Sequence, residues 1–534
     1  MGVNMTDILI ITAIVIILCV GFNKISNKLG IPMLLFFILL GMVFGSDGIL
    51  KIPFNDYNFA EQICSAALIF IMFYGGFGTK WSEAKPVAVK AVLLSTLGVI
   101  LTALIVGLLC YFILKIEILE SMLIGSVISS TDAASVFSIL RSKKLGLKYN
   151  TASLLEVESG SNDPCSYMLT TIFIAIMGGR AQGGSILYMV FTQLFFGVLF
   201  GAAAAFVTIW VLKKVKLETA GFDAIFVVAA AILAYALPTL IGGNGYLSVY
   251  ISGIVLGNSS IKNKKSLVNF FDGVTGLMQV LIFFLLGLLS FPSQMIYNIV
   301  PAIAIAVFLT FIARPFSVFA VLAPFKCSMR QQLFVAAAGL RGAASIVFAI
   351  MIFISPVYTK SDIFNIVLCI VLISIGIQGT LLPYLAKKLD MIDDNADVLK
   401  TFSDYTDEIE VNFIQLLINE NHLWINKSLK DINIPPNTLI VLLIRNNKKI
   451  VPNGDTVIMA GDTLILAAKG LSENYGIMLT EITLSKNSKW VNCSLSDVKL
   501  SEGLVIMIKR GENVIIPNGD TMLKENDVLV VNSF

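Results

Sequence analysis

Charged side chains are the scarcest feature of this sequence. Asp, Glu, Lys and Arg make up 14% of its 534 residues, whereas hydrophobic residues make up 57%. Soluble globular proteins carry about 25% charged residues. So few charges exclude a wholly soluble protein and predict a polytopic α-helical membrane protein in contact with a lipid bilayer.

Other absences exclude whole classes of function. The seven cysteines are scattered singly, with no CxxC pair, which argues against a metal cluster and fits a reducing cytoplasm. The sequence has no GxxxxGK[ST] loop and no GxGxxG motif after a strand, so we expect neither an ATP-driven pump nor an enzyme, and no resident cofactor. It also lacks the strongly basic patch that nucleic-acid binding needs.

Apolar stretches able to cross a bilayer recur along the first three quarters of the chain. We predict thirteen transmembrane helices, near residues 6–22, 32–46, 60–77, 88–114, 120–140, 152–178, 185–212, 222–240, 246–258, 272–290, 297–324, 330–355 and 362–386. Nineteen Lys and Arg residues fall in one alternating set of loops and four in the other. The positive-inside rule then predicts an N-terminus outside the cell membrane and a cytoplasmic chain from residue 387 onward.

The composition changes after Leu389. Residues 1–389 carry a net charge of +10, and residues 390–534 carry −7. We therefore predict a transmembrane domain over 1–389, an acidic linker over 390–404 and a small cytoplasmic α/β region after it.

This cytoplasmic region repeats itself. The matching positions are Trp424 and Trp490, Arg445 and Arg510, and "PNGDT" at 452–456 and 517–521. Pro-Asn-Gly between alternating Val/Ile runs indicates tight turns between short strands, so we predict two similar lobes, 405–469 and 470–534.

The charges predicted to lie deep in the membrane do not balance. They are Asp132, Glu158, Asp163, Arg314 and Arg341. Three carboxylates thus face two arginines, whose charges are permanent. One carboxylate is left over and must bind a proton or a metal cation to remain in the membrane. No imidazole can carry the proton within the membrane, because the only histidine lies beyond the last predicted span.

These charges could instead be structural ion pairs between helices. We assign that role to Glu158 with Arg341 and favour it for Arg314, an accessory residue. Glu156 is nearer the cytoplasm and is either accessory or solvated. Asp163, next to an asparagine near the middle of the sixth span, is assigned to ion binding.

Spacing on the sixth helix gathers oxygen atoms. Glu156, Ser159 and Asp163 follow i, i+3, i+7 and share one face, and Glu158 and Asn162 share the next. Hydroxyl, amide and carboxylate oxygens at one level suit a hard alkali cation, so we predict that such a cation binds at Asp163.

The fifth and twelfth spans both carry "AAS" behind a polar or glycine-rich break, at 133–135 and 343–345. Their positions in the order of spans differ by seven, an odd number, so they cross in opposite directions, as inverted repeats in transporters do. We predict two discontinuous helices, with Asp132 on one break and Arg341 on the other compensating the helix dipoles.

The motifs "SSTDAASVF", "LLEVESGSNDP" and "GLRGAAS" together resemble the cation/proton antiporter superfamily, most of all its NhaP-type branch with an Asn-Asp pair. The resemblance covers about residues 6–386. It implies a prokaryotic homodimer with an elevator-like core domain that exchanges K+ or Na+ for H+ electroneutrally in ion homeostasis and pH regulation. It implies that Asp163 binds the ion and the proton, and the neighbours it implies are Asn162, Ser159, Thr131 and Asp132. Tyr74 stands where many relatives have an acidic residue on the third span.

Each cytoplasmic repeat resembles the C-terminal lobe of RCK (TrkA-C) domains, which regulate potassium channels and transporters. This resemblance implies regulation by a ligand such as cyclic di-AMP or another nucleotide, and it favours K+ as the cation. A role in dimerisation alone is the alternative.

A ligand-gated monovalent cation channel is the main competing function. A channel presents a repeated pore-lining filter, which this sequence lacks, whereas a titratable acid within the membrane suits a carrier. The choice between K+ and Na+ stays open from the residues themselves.

Overall fold

The computed structural model describes most of the chain in two compact units, Met1–Thr406 and Asp407–Phe534. The described residues of the first unit are 5–29, 32–143, 145–181, 183–215, 221–261 and 263–393. Those of the second are 411–533 without 421, 436–437, 446–447, 470–477, 486–487, 499–503, 511–512 and 516. The rest of the predicted linker and the first six residues of the first predicted lobe lie outside the described residues.

The described part of the first unit consists mainly of helices joined by short non-helical segments. Its first nine helices are α1 (Met5–Leu29), α2 (Met33–Phe44), α3 (Tyr57–Gly78), α4 (Trp81–Ala84), α5 (Ala88–Leu93), α6 (Val99–Phe112), α7 (Ile118–Ile128), α8 (Ala133–Ser142) and α9 (Thr151–Met177). The next ten are α10 (Gly184–Lys214), α11 (Phe222–Leu240), α12 (Gly245–Gly257), α13 (Lys264–Leu288), α14 (Pro292–Phe308), α15 (Arg314–Leu322), α16 (Met329–Ala337), α17 (Ala343–Ile354), α18 (Ile363–Ile373) and α19 (Gly379–Lys388). Short π-helical segments join α5 to α6, α14 to α15 and α18 to α19.

Apolar runs form helices here because lipid offers no hydrogen bonds and a helix satisfies its own backbone. Several of these helices begin at a side chain that accepts a backbone N–H three residues on, and the capping residues are Asp56, Asn244, Ser328 and Asp362. Such caps satisfy amide groups that have no partner within the helix.

Among the described residues, eight helical units are long and apolar enough to cross a membrane, and four shorter apolar helices accompany them. The chain is thus a multi-pass membrane protein. Helix α9 is not among these twelve because its acids lower its hydropathy, although its 27 residues extend about 40 Å.

Most predicted span boundaries lie within about five residues of the helix ends, with two clear exceptions. Helix α1 runs to Leu29, seven residues past the predicted end of the first span at residue 22. Helix α13 begins at Lys264, eight residues before the predicted start of the tenth span at residue 272. Its first two turns are polar and amphipathic, so hydropathy alone did not include them. As a result Asp272 lies inside the helix and not at its edge.

Close helix contacts depend on small residues. A Cβ added at Gly41 on α2 would lie 2.8 Å from the Cα of Gly287 on α13, and one added at Gly287 would lie 2.9 Å from the Cα of Gly41. Only glycine allows the two backbones to approach this closely, a common device in membrane helix packing. The pair fixes α13 against α2.

The second unit contains two four-stranded antiparallel sheets. The strands of the first are β1 (Val411–Leu417), β2 (Thr438–Arg445), β3 (Lys448–Ile450) and β4 (Thr463–Lys469), in the order β1-β4-β2-β3. Those of the second are β5 (Met478–Thr483), β6 (Leu504–Arg510), β7 (Asn513–Ile515) and β8 (Val528–Ser533), in the order β5-β8-β6-β7. The prediction of an α/β region needs correction, because the described part of this unit has sheets and short 3₁₀ turns but no α-helix. Alternating Val/Ile runs with tight turns build hairpins without crossover helices.

The same buried ion pair holds each lobe together. Arg445 donates Nε–H and Nη2–H bonds, both of 2.7 Å, to Asp462, and Arg510 does the same to Asp527 at 2.8 and 2.7 Å. Both aspartates are fully buried. The arginine hydrogen bond lowers the pKa of Asp462, and the equivalent bond lowers the pKa of Asp527. Both acids therefore remain ionised in the folded lobes.

The segment after α19 is fixed to the helical unit and does not begin as a free linker. Asp390 accepts a 2.8 Å bond from Lys148 and a 3.0 Å bond from Arg330. The Asp393 N–H donates to Gly146 O at 3.1 Å, and Ile392 forms a β-bridge with Leu147. The predicted linker at 390–404 therefore begins with four residues that pack on the helical unit.

Candidate ion-binding site

Two non-helical segments cross within the helical unit. Residues 129–132 separate α7 from α8, and residues 338–342 separate α16 from α17. At the crossing, the Asp132 N–H donates to Leu340 O at 2.8 Å. This places the ends of four short helices around one point and leaves their terminal N–H and C=O groups to be satisfied there.

Arg341 occupies the carboxyl end of α7. Its Nη1 donates to Ser129 O at 2.9 Å and to Ser130 O at 2.6 Å, and its side chain is 1% exposed. Its backbone N–H donates to Ser374 Oγ at 3.1 Å. A permanent cation thus neutralises the negative end of a helix dipole and satisfies two carbonyls.

Asp132 occupies the opposite kind of helix end. It accepts a hydrogen bond from the Ser135 hydroxyl and lies 3.3 Å from the Ser135 amide nitrogen, at the amino end of α8. A Cβ added at Gly342, just before α17, would lie 2.5 Å from its side chain. One carboxylate therefore lies beside the amino ends of both α8 and α17, where negative charge is stabilised.

The polar face of α9 stabilises this crossing. Ser159 Oγ donates to Thr131 O at 2.6 Å and accepts from Ala133 N at 2.8 Å. Asn162 Nδ2 donates to Thr131 Oγ1 at 2.5 Å, while its buried Oδ1 has no hydrogen-bond partner among the described residues. The structure thus brings Ser159, Asn162, Thr131 and Asp132 together.

Asp163 borders a small cavity at the crossing. It accepts a hydrogen bond from the Ser130 hydroxyl, and within the described ranges no Lys or Arg forms an ion pair with it. The cavity has a volume of about 40 Å³, enough for a water molecule or a partly dehydrated cation. Its lining residues are Leu68, Ile71, Ser130, Thr131, Asp132, Ala134, Asp163, Gln279, Phe283, Gly342, Ala343 and Ala344.

The predicted ion pair of Glu158 with Arg341 is wrong. Glu158 pairs with Arg314 instead, with 2.5 Å between Oε1 and Nη2 and with side chains 1% and 2% exposed. The reason is that the Arg341 guanidinium is directed to the carbonyls at the end of α7, which leaves Arg314 as the partner. The count of three acids and two arginines is unchanged, but among the described residues both Asp132 and Asp163 are without an arginine partner. Helix amino ends stabilise Asp132, whereas Asp163 accepts a hydrogen bond from the Ser130 hydroxyl.

Glu156 is buried rather than solvated. Its side chain is 8% exposed and borders a second cavity of about 10 Å³, which Thr79, Lys80, Glu83 and Ser153 also line. The second cavity is separate in its lining from the one at Asp163. Glu156 therefore does not line the cavity at Asp163, and its predicted accessory role stays a prediction.

Sequence reasoning missed three contributors to this region. The Ser130 hydroxyl donates a hydrogen bond to Asp163, and its position in the motif "SSTD" is a signal that could have identified it. Gln279 lines the cavity from α13 and is a lone amide in an apolar run, a signal that could have identified it. Tyr74 donates to Asp272 Oδ1 at 3.1 Å, so a carboxylate lies beside position 74 even though α3 does not supply it.

Comparisons with known proteins give a consistent family assignment. The model of the sodium/hydrogen exchanger transmembrane family matches residues 11–388, and that of the TrkA-C domain matches 413–470 and 479–531. The K(+)/H(+) antiporter NhaP of Alkalimonas amylolytica is 32% identical over 460 residues, which cover 85% of this chain and 80% of the relative. The K(+)/H(+) antiporter NhaP2 of Shewanella oneidensis is 31% identical over 461 residues, with the same coverage.

The fold also matches a solved structure. The sodium proton antiporter MjNhaP1 of Methanocaldococcus jannaschii superposes with a TM-score of 0.63 at 24% identity, covering 71% of this chain and 98% of that one. This agreement concerns the membrane fold.

Proposed function

The chain belongs to the sodium/hydrogen exchanger family, whose members are antiporters and not enzymes, and we propose that it exchanges cytoplasmic K+ for H+, with Na+ as the alternative cation. Two observations favour K+. The similar proteins from Alkalimonas and Shewanella are K(+)/H(+) antiporters, and the chain carries two TrkA-C repeats.

The observation that carries this proposal is the Asp163 carboxylate at a small cavity, with a serine hydroxyl beside it and no arginine partner among the described residues. A lone carboxylate can hold one proton or one alkali cation. Once either is bound, the site is neutral and no longer attracts a second positive charge. Ser159, Asn162, Thr131 and Asp132 shape the site around it. If only the neutralised site crosses the membrane, exchange is one-for-one and electroneutral, and one pH unit balances a tenfold cation ratio.

The movement that we propose is an alternating-access elevator. The thirteen helical units each cross the membrane, with α7–α8 and α16–α17 as discontinuous helices of an inverted repeat. Support comes from the hydrogen bond between the two segments, in which the Asp132 N–H donates to Leu340 O at 2.8 Å. We further propose a homodimer in the cell membrane, with the N-terminus outside and the lobes in the cytoplasm, which the alternation of loop charge supports.

Replacing Asp163 tests the mechanism. Asp163→Asn should abolish exchange, because an amide binds neither a proton nor an alkali cation strongly, whereas Asp163→Glu should keep part of the activity with a shifted pH profile. The assay uses everted vesicles loaded with a pH dye and challenged separately with KCl and NaCl. A fully active Asp163→Asn variant would contradict the proposal, and voltage-dissipating flux without a counter-gradient would indicate a channel.

We propose that the TrkA-C lobes regulate exchange by binding a nucleotide, with cyclic di-AMP as the first candidate. Titration calorimetry of the full-length protein tests this. If micromolar cyclic di-AMP releases no heat, the alternative role of the lobes, dimerisation without this ligand, is favoured.

A further inference from the structure

Two carboxylates outside the site lie on helices that line its cavity. Glu61 on α3 is half-buried, and Asp272 on α13 is exposed. Glu61 Oε1 accepts a 2.7 Å hydrogen bond from Ser65, and Asp272 Oδ1 accepts a 3.1 Å bond from Tyr74. Neither acid has a part in the chemistry at Asp163.

Both acids are in register with the cavity. Leu68 follows Glu61 by seven residues, Gln279 follows Asp272 by seven, and both of the later residues line the cavity. Residues seven apart share one face of a helix, and the distance along the axis is about 10 Å. Each acid is therefore about two turns from the cavity, on the face that leads to it.

The two acids lie on opposite sides of the cavity. Helices α3 and α13 pack together, and the end of α3 meets the beginning of α13, where the Phe73 and Phe271 rings are 4.9 Å apart. The helices are thus antiparallel. Glu61 precedes Leu68 on α3, and Asp272 precedes Gln279 on α13. Because the two helices run in opposite directions, one acid is displaced towards each membrane face.

An open depression lies beyond Glu61. It has a volume of about 580 Å³ and is lined by Asn55, Asp56, Tyr57, Asn58, Phe353 and Ile354. Tyr57 is one turn from Glu61. The rings of Tyr167, Tyr246 and Phe348 cluster with centroid distances of 5.1 to 6.1 Å, and Tyr167 is one turn from Asp163 on α9. Phe348 precedes Phe353 of the depression by five residues on α17, so the ring cluster lies near the depression.

Open space lies beside Asp272 as well. A Cβ added at Gly276, between Asp272 and Gln279 on the same face, would have no atom within 4 Å. Asp272 is exposed and lies where the predicted tenth span begins, and because a carboxylate in lipid is costly we expect it to face water. This side therefore has room for a hydrated ion to approach.

We propose that Asp272 and Glu61 are side-specific access carboxylates for the transported cation, Asp272 on the cytoplasmic route and Glu61 on the outer route. The proposal rests on the exchange function and membrane orientation given above. A fixed negative charge between low-dielectric walls raises the local cation concentration and speeds its entry. The ring cluster of Tyr167, Tyr246 and Phe348 would border the outer route.

The test compares the two membrane faces. Glu61→Gln and Asp272→Asn each remove one charge with little change of shape, and each is the matched control for the other. The KCl concentration that gives half-maximal exchange is measured at low ionic strength in inside-out and right-side-out vesicles. Asp272→Asn should raise it about threefold or more in inside-out vesicles only, and Glu61→Gln in right-side-out vesicles only. Added choline chloride should shrink both shifts by screening.

Three further variants make the result decisive. Tyr74→Phe removes the hydrogen bond to Asp272 and keeps its charge. It should shift the half-maximal KCl concentration less than Asp272→Asn does, and only on the cytoplasmic side. Glu61→Asp and Asp272→Glu keep the charge and should show no shift. Equal shifts on both faces, no shift at all, or amide-sized shifts in the charge-keeping variants would overturn the proposal. If Asp163→Asn is inactive while no side-specific shift appears, the exchange function stands and the access route is wrong.

Discussion

At the scale of single residues, the arrangement of charge in the membrane unit follows from which groups can be neutralised by protein. Arg341 is neutralised by carbonyls at a helix end, Glu158 by Arg314, and Asp132 by two helix amino ends. Asp163 receives one hydroxyl hydrogen bond. Asp163 is therefore the carboxylate to which we assign the proton and the cation.

The Glu158–Arg314 pair predicts a stability effect. Glu158→Gln should destabilise the membrane unit by about 3–5 kcal/mol, because it leaves a buried guanidinium without its counter-charge. Thermal unfolding in detergent measures this. The control is Glu117→Gln, whose partner Lys360 is 3.9 Å away with both side chains mostly exposed, and it should change stability by less than about 0.5 kcal/mol. Equal melting temperatures for Glu158→Gln and the unsubstituted protein would contradict the expectation. The double variant Glu158→Leu with Arg314→Met should recover much of the loss.

At the scale of elements, the candidate site lies where two breaks between helices meet, residues 129–132 and 338–342. Each break exposes backbone groups that a continuous helix would have used internally, and the other break or α9 satisfies them. A Cβ added at Gly342 would lie 2.5 Å from the Asp132 side chain, closer than such atoms can approach. Space at the crossing is therefore limiting.

Gly342→Ala should lower the exchange rate by about tenfold or more. Its Cβ would lie 2.5 Å from the Asp132 side chain, so that carboxylate must move away from the amino end of α17. Gly273→Ala on α13 is the matched control, because its Cβ meets no atom within 4 Å. The control should retain exchange and gain up to about 1 kcal/mol of stability through helix propensity. Rates are normalised to protein in everted vesicles, and equal rates for the two variants would show that the crossing tolerates a methyl group.

At the scale of the whole molecule, the chain joins a helical unit stabilised by close packing in lipid to a unit of two repeated sheets. The Arg–Asp pairs of the two lobes are each separated by 17 residues and have almost the same hydrogen bonds. Such repetition predicts that equivalent substitutions have equal effects.

Asp462→Asn and Asp527→Asn should each destabilise their lobe by about 1.5–3 kcal/mol, the value of hydrogen bonds to charged groups. Because the folded-state pKa values of both acids are lowered, their contribution is present above the ordinary pKa near 3.8 and is lost as the pH falls through the lowered value. Denaturant unfolding followed by tryptophan fluorescence measures this, since Trp424 and Trp490 pack in the two lobe cores. Asp455→Asn, in the exposed pair with Lys430, is the control and should have almost no effect. A stability that is unchanged between pH 6 and pH 3 would contradict the role of these pairs.

The sequence predicted where helices lie and which residues gather at the site, because long apolar runs and helical spacing are local signals. Helix α9 was predicted as 152–178 and observed as Thr151–Met177. The partner of Glu158 could not be predicted, since depth along the membrane normal does not reveal which way Arg341 and Arg314 point. The start of α13 was missed because its first turns are amphipathic, and with it the position of Asp272.

The strap formed by residues 390–393 has a mechanical consequence. It is bonded to the loop between α8 and α9 at Gly146, Leu147 and Lys148. Tension in the chain at residue 393 would therefore act on the loop between α8, which begins next to Asp132, and α9, which carries Asp163.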